Sequence, residues 1–501
     1  HYLDTVGVTG SIPVSPILLT FAGLSEFQRV IPVVSPPSLP PGSQVAVIGL
    51  GRTGLGVARL LRAQGHLVLL LESRDGPEQR AAAASLQAEG IAVRLGAPLA
   101  LDSLPEPRPA AVLVSPGIRW DHPELERMRA AGIPLLGEMS AAAQATATIP
   151  WVGITGTNGK TTVTHLVHHL LSQGGLHAPL CGNVGISAAE VALQSLRGEG
   201  PRPDWLVVEL SSYQIEQSPE LAPAIGVWTT LTPDHLERHG SLDHYRAIKR
   251  RLLENAAVRI LNGDDADLRS RAASWETAEW ITSRSRSQLP PGLPPSLWIE
   301  QGQVQGPQGS LFAADALAMP GAHNLQNMLM ASAVALRAGL KPAVIEAALR
   351  SFPGVPHRLE RIRDRGGIAW FNDSKATNYD AAEVALEALH GPLVVLAGGE
   401  AKQGDASGWL KQLRRQAPAV VLYGQARDSF TSLLAEGGYS GQVHRCDGLD
   451  EAVPLAASLA LQCGCRAVLL SPACASFDQY RDFEARGDHF RRLVAELPQL
   501  D

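Results

Sequence analysis

Short apolar runs of four or five residues recur along this chain, each followed by a stretch with helical spacing. They fall at residues 44–48, 67–71 and 111–114, then 151–154, 205–209, 225–229 and 258–262, and finally 368–372, 393–397, 420–423 and 467–471. A strand buried on both faces reads as a continuous apolar run. The helix that follows must cross back over the sheet, so this alternation predicts parallel sheets covered by helices. At 501 residues the chain is too long for one core, given about 100–200 residues per domain. We expect an α/β fold in three doubly wound or related domains, at residues 44–150, 151–352 and 353–501. Residues 1–43 are expected to form a Pro-rich leader, with Pro36, Pro37, Pro40 and Pro41 and none of the motifs below, and His1–Pro41 are expected to be dispensable. The apolar stretch at 17–24 lacks the basic flank and small-residue cleavage pattern of a signal peptide.

Composition removes several classes of function. Hydrophobic residues make up 45% and charged residues 18%, a balance that suits a globular enzyme and not a disordered chain. No apolar run approaches the ~20 residues that span a bilayer, so no membrane partner and a cytoplasmic location are expected. A net charge of −6 leaves no basic footprint for nucleic acid. Phosphate-bearing ligands must then be held by a few placed cations and backbone amides. The cysteines (Cys181, Cys446, Cys463, Cys465 and Cys474) are sparse, odd in number and not paired at zinc spacing, and read as reduced thiols.

The first run ends in Gly49-Leu50-Gly51-Arg52-Thr53-Gly54, and Glu72 closes the second. Glycines there let amides approach a phosphate at a helix N-terminus. Alone, the pattern leaves a dinucleotide, another nucleotide and a plain structural turn all open. The sharper signal follows the strand at 151–154: Thr155, Gly156, Thr157, Asn158, Gly159, Lys160, Thr161 and Thr162 make a phosphate loop, with Ile154 where the strict pattern begins with glycine. Glycine amides cradle phosphates, Lys160 neutralises terminal oxygens, and the Thr161 hydroxyl reaches Mg²⁺. A magnesium nucleotide needs more ligands. Glu209 ends a buried strand and His235 follows another, both at the carboxyl edge where such sheets bind ligands. His165, His168 and His169 are expected to lie on the next helix facing away from the loop, and His239 and His244 to be ordinary helix-face residues. In the third unit, Asp373 to Asn378 and Ser471 to Asp478 end strands, with His357-Arg358 at the domain junction. Lys375 at such an edge can orient a phosphate or carboxylate, since unit charges ~4 Å apart in a partly screened site interact by about 4 kcal/mol.

These segments, together with Glu209-Leu210-Ser211-Ser212-Tyr213-Gln214 and His323-Asn324 with Asn327, resemble the Mur ligases of peptidoglycan synthesis, in the branch that adds D-glutamate. The resemblance runs from Gln44 to the C-terminus. It implies a Rossmann-like N-terminal domain for UDP, a central P-loop ATPase domain and a Rossmann-like C-terminal domain for the amino acid. Arg52, Thr53, Glu72, Ser73, Arg74, Ser115, Pro116 and Gly117 match positions that hold the uridine diphosphate, and Asn183 one that touches the muramoyl group. Asn324 and Asn327 match adenine contacts, Asp373 a ribose contact, and Arg358 and Lys375 residues near the transferred phosphate. His235, Lys375, Thr377, Lys402, Ser476 and Phe483 match the surroundings of D-glutamate. Lys249, otherwise readable as a solvated helix residue, matches a lysine that the family carbamylates. Two Mg²⁺ sites are implied, one on Thr161 and Glu209, the other on His235 and the Lys249 carbamate. The catalytic set implied is Lys160, Glu209, His235, Lys249 and Lys375. The partners implied are ATP, UDP-N-acetylmuramoyl-L-alanine and D-glutamate, acting on a monomer. The glycine-rich loop Gly399-Glu400-Ala401-Lys402 departs from the family pattern.

Overall fold

The computed structural model describes residues 39–275, 277–288, 294–319, 321–401 and 404–498. The leader up to residue 38 and Lys402 therefore lie outside the described residues. Three sheets succeed one another along the chain. The first contains β1 (Gln44–Ile48), β2 (Leu67–Leu71), β3 (Ala92–Arg94), β4 (Ala111–Val114) and β5 (Leu135–Gly137), all parallel, in the order β3-β2-β1-β4-β5. Strand order reverses at β1, and the glycine turn at 49–54 leaves its carboxyl end, where open α/β sheets bind ligands.

The second sheet contains β6 (Trp151–Thr155), β7 (Leu180–Gly182), β8 (Leu206–Glu209), β9 (Ile225–Trp228), β10 (Val258–Asn262), β11 (Glu279–Ile281), β12 (Pro295–Glu300), β13 (Gln303–Gly306) and β14 (Gly309–Ala313). Its order is β14-β13-β12-β11-β10-β9-β6-β8-β7, so β6 is the switch point, between β8 and β9. Register places Ile154 opposite both Glu209 and Val227, and Thr155 opposite Trp228. That pairing delivers the phosphate loop, Glu209 and the segment leading to His235 to one edge. Side-chain alternation builds two cores. Val152, Ile154 and Val207 pack with Val163, Leu166, Val167 and Leu170 of the helix Lys160–Gln173, while Trp151, Leu206 and Val208 pack with Ile248 and Leu252 of the helix Leu242–Asn255. Each such fully buried side chain contributes roughly 1.5–3 kcal/mol, enough to fix both helices, and hence Lys160 and Lys249, against the sheet.

The third sheet contains β15 (Glu360–Arg365), β16 (Ile368–Asn372), β17 (Leu393–Gly398), β18 (Ala419–Tyr423), β19 (Gln442–Arg445) and β20 (Ala467–Leu470), in the order β15-β16-β20-β17-β18-β19. The last strand inserts between β16 and β17, pairing Leu470 with Asn372. The motifs at 373–378 and 471–478, a hundred residues apart, therefore leave the sheet side by side. No described helix is long and apolar enough to cross a membrane.

Candidate active site

The phosphate loop is shaped by backbone that only glycine tolerates. Gly156 has φ 148°, and a Cβ there would lie 1.9 Å from Thr229 Oγ1; Gly159 has φ 83°, and its Cβ would meet Asn327 Oδ1 at 2.7 Å. Ile154, at the departure from the strict pattern, is a fully buried strand residue. Helix Lys160–Gln173 starts at Lys160, so its unpaired N-terminal amides and positive dipole end face the loop. The Lys160 ammonium donates to its own loop, at 3.0 Å to Gly156 O and 2.8 Å to Thr157 O.

Glu209 is 2% exposed. Its Oε1 accepts from Asn183 Nδ2 at 2.8 Å, and its Oε2 is buried with no hydrogen-bond partner among the described residues. A buried carboxylate oxygen left bare is costly, and a hard cation beside Thr161 would satisfy it. The donor set therefore fits magnesium. His235 adopts φ 52°, a left-handed conformation costing a non-glycine residue roughly 1–3 kcal/mol. His357, Leu359 and Ala473 share that strain, with φ of 60°, 44° and 55°, and all three lie in or beside the motif segments. The His235 ring stays accessible, with Nδ1 3.1 Å from Tyr213 Oη.

Among the described residues, no carboxylate is hydrogen-bonded to Lys160, Lys249 or Lys375. Lys249, 1% exposed, donates to Gly156 O at 3.0 Å and lies 4.4 Å from the centre of the Tyr245 ring. Burial, with Lys160 nearby, holds its amine well below the usual lysine range. Lys160 is likewise lowered by burial. Lys375 reaches across from the third sheet to donate to Thr161 Oγ1 at 3.3 Å, and burial, with Arg358 beside it, lowers it to about 8. Its ammonium sits 5.6 Å from the Phe483 ring centre. Asp373 is buried and raised to about 7, its oxygens accepting from Ser471 Oγ at 2.9 Å and Leu359 N at 3.1 Å. Those bonds hold the Arg358 loop. Asn327 Nδ2 donates to Asn324 Oδ1 at 3.3 Å, on the helix Ala322–Arg337 that packs against the phosphate loop.

Three cavities connect these groups. One of about 340 Å³ is lined by Gly49, Gly51, Glu72, Ser73, Arg74 and Ser115. Glu72 accepts from Leu50 N at 2.8 Å and Arg74 N at 3.0 Å, so it also pins the glycine turn. A second, about 350 Å³, brings Arg52, Thr53, Pro116, Gly117 and Asn183 of the sequence reading together with Lys160, His235 and Lys249. The third is a cleft of about 780 Å³ that gathers Thr161, Lys375, Thr377, Ser476 and Phe483. The first unit is docked on the second through Arg52 Nη1 to Gly185 O at 3.1 Å and Gln217 Nε2 to Ser115 O at 3.2 Å.

One expectation is corrected. His168 and His169 do face away, at 2.7 Å from Ala178 O and 3.0 Å from Ala348 O, but His165 lines the cleft. It lies one helical turn beyond Thr161, at i+4, so it shares that residue's face. Burial, with Lys375 nearby, lowers it to about 4, so it is neutral at physiological pH. Sequence reasoning also passed over Arg486. It is fully buried and donates to Ser374 O (2.8 Å), Ser374 Oγ (3.0 Å), Ala475 O and Cys474 O (both 3.1 Å), lacing the two third-unit motifs together. An Asp482 N-cap ten residues after the Ser471–Pro472 turn was the available signal for its helix, but nothing in the sequence marks the partners.

Three family models match the chain: Mur ligase MurD-like, N-terminal domain over residues 43–137, Mur ligase middle domain over 154–335, and Mur ligase, glutamate ligase domain over 357–474. A UDP-N-acetylmuramoylalanine–D-glutamate ligase of Prochlorococcus marinus (strain MIT 9313) is 55% identical over 459 residues, covering 90% of this chain and 99% of its own. The like-named protein of Thermosynechococcus vestitus is 46% identical over 457 residues, covering 90% and 99%. Among solved structures, the UDP-N-acetylmuramate-alanine ligase of Thermotoga maritima superposes with a TM-score of 0.55 at 19% identity, over 90% of this chain and 99% of its own, a likeness of fold. The three successive sheets, the phosphate loop at the central switch point and these matches agree: the chain belongs to the Mur ligase family.

Proposed function

We propose that this chain joins D-glutamate to UDP-N-acetylmuramoyl-L-alanine at the expense of ATP, forming ADP and phosphate, a cytoplasmic step of peptidoglycan precursor synthesis. The observation that carries this reading is the convergence of Lys160, Lys249 and Lys375, all lowered by burial, on the edge that also holds Glu209. Three buried amines gathered at one edge, with Glu209, Asp234 and Glu484 as their nearby opposite charges, leave room for anionic ligands. A nucleotide triphosphate and a carboxylate answer that need. The branch rests on the shared name of the relatives and on the glutamate ligase domain.

We assign UDP recognition to residues 44–150, nucleotide binding and phosphoryl transfer to 151–352, and amino-acid binding to 353–501. Uridine diphosphate would occupy the cavity of Glu72, Ser73, Arg74 and Ser115, its muramoyl arm passing Arg52, Thr53, Pro116, Gly117 and Asn183. ATP phosphates would lie on residues 155–162, with Asn324 and Asn327 at adenine, Asp373 toward ribose and Arg358 over the phosphates. The alanyl carboxylate oxygen attacks the γ-phosphorus and ADP departs. Positioning and charge neutralisation by Lys160, Arg358 and Lys375 do most of the catalysis. The amine of D-glutamate then attacks the acyl carbon, the tetrahedral intermediate expels phosphate, and the amine proton ends on that phosphate. Thr377, Lys402, Ser476, Phe483 and His235 would surround the amino acid. Thr161 with Glu209 would hold one Mg²⁺, and His235 with Lys249 a second, where the ions would supply positive charge to phosphate oxygens. For Lys249 to ligate, its neutral amine must add CO₂ and lose a proton, giving a carbamate, and the depressed basicity of this lysine favours the neutral amine. We take the monomer as the acting unit.

The test is ADP formation with UDP-N-acetylmuramoyl-L-alanine, ATP and, in turn, D-Glu, L-Glu, D-Asp or meso-diaminopimelate. A site built on polar contacts rejects a mismatched analogue by as much as ~10⁴-fold, so turnover with D-Glu alone is expected. Equal turnover with L-Glu, or preference for diaminopimelate, would assign the chain to another branch.

A further inference from the structure

Behind the pocket wall made by Tyr213 and Tyr245, side chains from three helices converge. Glu216 lies on Ser212–Gln217, His239 ends Leu236–His239, and His244 sits in the first turn of Leu242–Asn255. Glu216 Oε1 is 3.8 Å from His239 Nδ1 and 3.7 Å from His244 Nε2, and the three atoms all lie within 4.8 Å of one another. A second observation is independent of that spacing. The His239 side chain is 0% exposed, and its Nδ1, aimed into the cluster, is buried with no hydrogen-bond partner among the described residues. Its Nε2 is 2.9 Å from Ser212 Oγ. With Nε2–H donating to that hydroxyl, Nδ1 presents a bare lone pair toward a carboxylate, a repulsion that a cation between them removes. Such a second hydrogen bond on the far nitrogen is how ligating histidines are oriented.

We propose that Glu216, His239 and His244 form a site for a divalent transition cation of the zinc class, separate from the magnesium positions at Thr161, Glu209 and His235. Two imidazoles and one carboxylate suit Zn²⁺ or Co²⁺, whereas Mg²⁺ takes mostly oxygen ligands. Bonds of about 2.0–2.1 Å in a tetrahedron put ligand atoms about 3.3 Å apart, so the 3.8 and 3.7 Å distances to Glu216 Oε1 close with a contraction of about half an ångström, and the two imidazoles, within 4.8 Å of each other, close as His244 moves. His244, 57% exposed, is free to make that adjustment and leaves the fourth position to water. Arg238 Nη2 donates to Glu216 Oε2 at 3.1 Å, so the other oxygen remains for the ion. The ion would cross-link the helix bearing Tyr213, the turn capped by His235 and the helix bearing Tyr245 and Lys249.

The experiment uses the full chain stripped with a chelator. Zn²⁺ is titrated against a chromophoric chelator in excess Mg²⁺, and Co²⁺ is followed by its visible absorption. One Zn²⁺ per chain, tetrahedral-type Co²⁺ bands, and a rise in thermal midpoint on Zn²⁺ addition are expected. His244→Ala, a change at an exposed position, should weaken binding at least 10-fold and abolish the thermal shift, while His235→Ala leaves both intact. Absence of stoichiometric binding, binding unchanged in His244→Ala, or binding lost in His235→Ala would overturn the proposal, the last by moving the ion to the magnesium centre.

Discussion

Lys249 sits in surroundings that do not match its ordinary chemistry: 1% exposed, bonded to a carbonyl, against an aromatic face, with no carboxylate among its hydrogen-bond partners in the described residues. Lys249→Ala should cost orders of magnitude in ligase turnover with little loss of nucleotide binding, and a small added carboxylate should restore part of the rate. Full activity in the alanine variant would remove the carbamate from the mechanism. Arg486 has the opposite character. Four of its five guanidinium N–H groups donate to backbone and hydroxyl acceptors, so it positions and does not react. Arg486→Ala strips four donors from buried acceptors, each worth about 1 kcal/mol or more. We expect a clear drop in thermal midpoint and a raised KM for the amino acid, with Arg486→Lys recovering little of either. Neither role is legible in residue order. Lys249 reads as a helix-surface lysine until the partner strand is known, and Arg486 bonds to segments more than ten residues or more than a hundred residues away.

At the scale of elements, the buried parallel strands were readable because continuous apolar runs such as 44–48, 225–229 and 393–397 have no other economical explanation. The strands missed are of two kinds. β3, β5, β7 and β11 are three residues long and make no run, and β12, β13, β14, β15 and β19 interrupt their apolar residues with polar or charged ones. The helix Glu138–Ala145 buries Glu138 against the helix Ala188–Arg197, where its carboxylate accepts from Ala189 N at 3.4 Å. Burial raises this acid to about 7. A carboxyl that is more basic folded than unfolded binds the extra proton between its ordinary value and about 7. Its stabilising contribution is thus complete at acid pH and lost as pH rises through 7. Glu138→Gln should therefore gain in thermal midpoint over the native chain as pH goes from 5 to 8. A constant difference across that range would place the proton elsewhere.

The second and third units are coupled through charge. Lys375 leaves the third sheet and reaches Thr161 on the second, with Arg358 near both Lys160 and Lys375, so nucleotide binding and domain contact share the same cations. Sequence could place each motif at a sheet edge. It could not say that the edges meet, because that depends on how rigid units dock. The meeting has a measurable signature. Lys375 is lowered to about 8 by burial, with Arg358 beside it, so the unfolded chain binds more protons than the folded one between about 8 and the ordinary lysine value. Its cost to stability is full below pH 8 and fades above it, so the advantage in thermal midpoint of Lys375→Met over the native chain should shrink as pH rises from 8 to 10. Phosphate oxygens reverse the balance by favouring the ammonium, so a non-hydrolysable ATP analogue with Mg²⁺ should draw protons from solution at pH 8. Calorimetry in buffers of different ionisation enthalpy reads that uptake directly. It should fall toward pH 6.5, where Lys375 is already charged, and shrink in Lys375→Arg, whose side chain never deprotonates. Uptake unchanged in that variant would mean that the proton enters at another group, such as Lys160 or Lys249, and that Lys375 does not take part in holding the nucleotide.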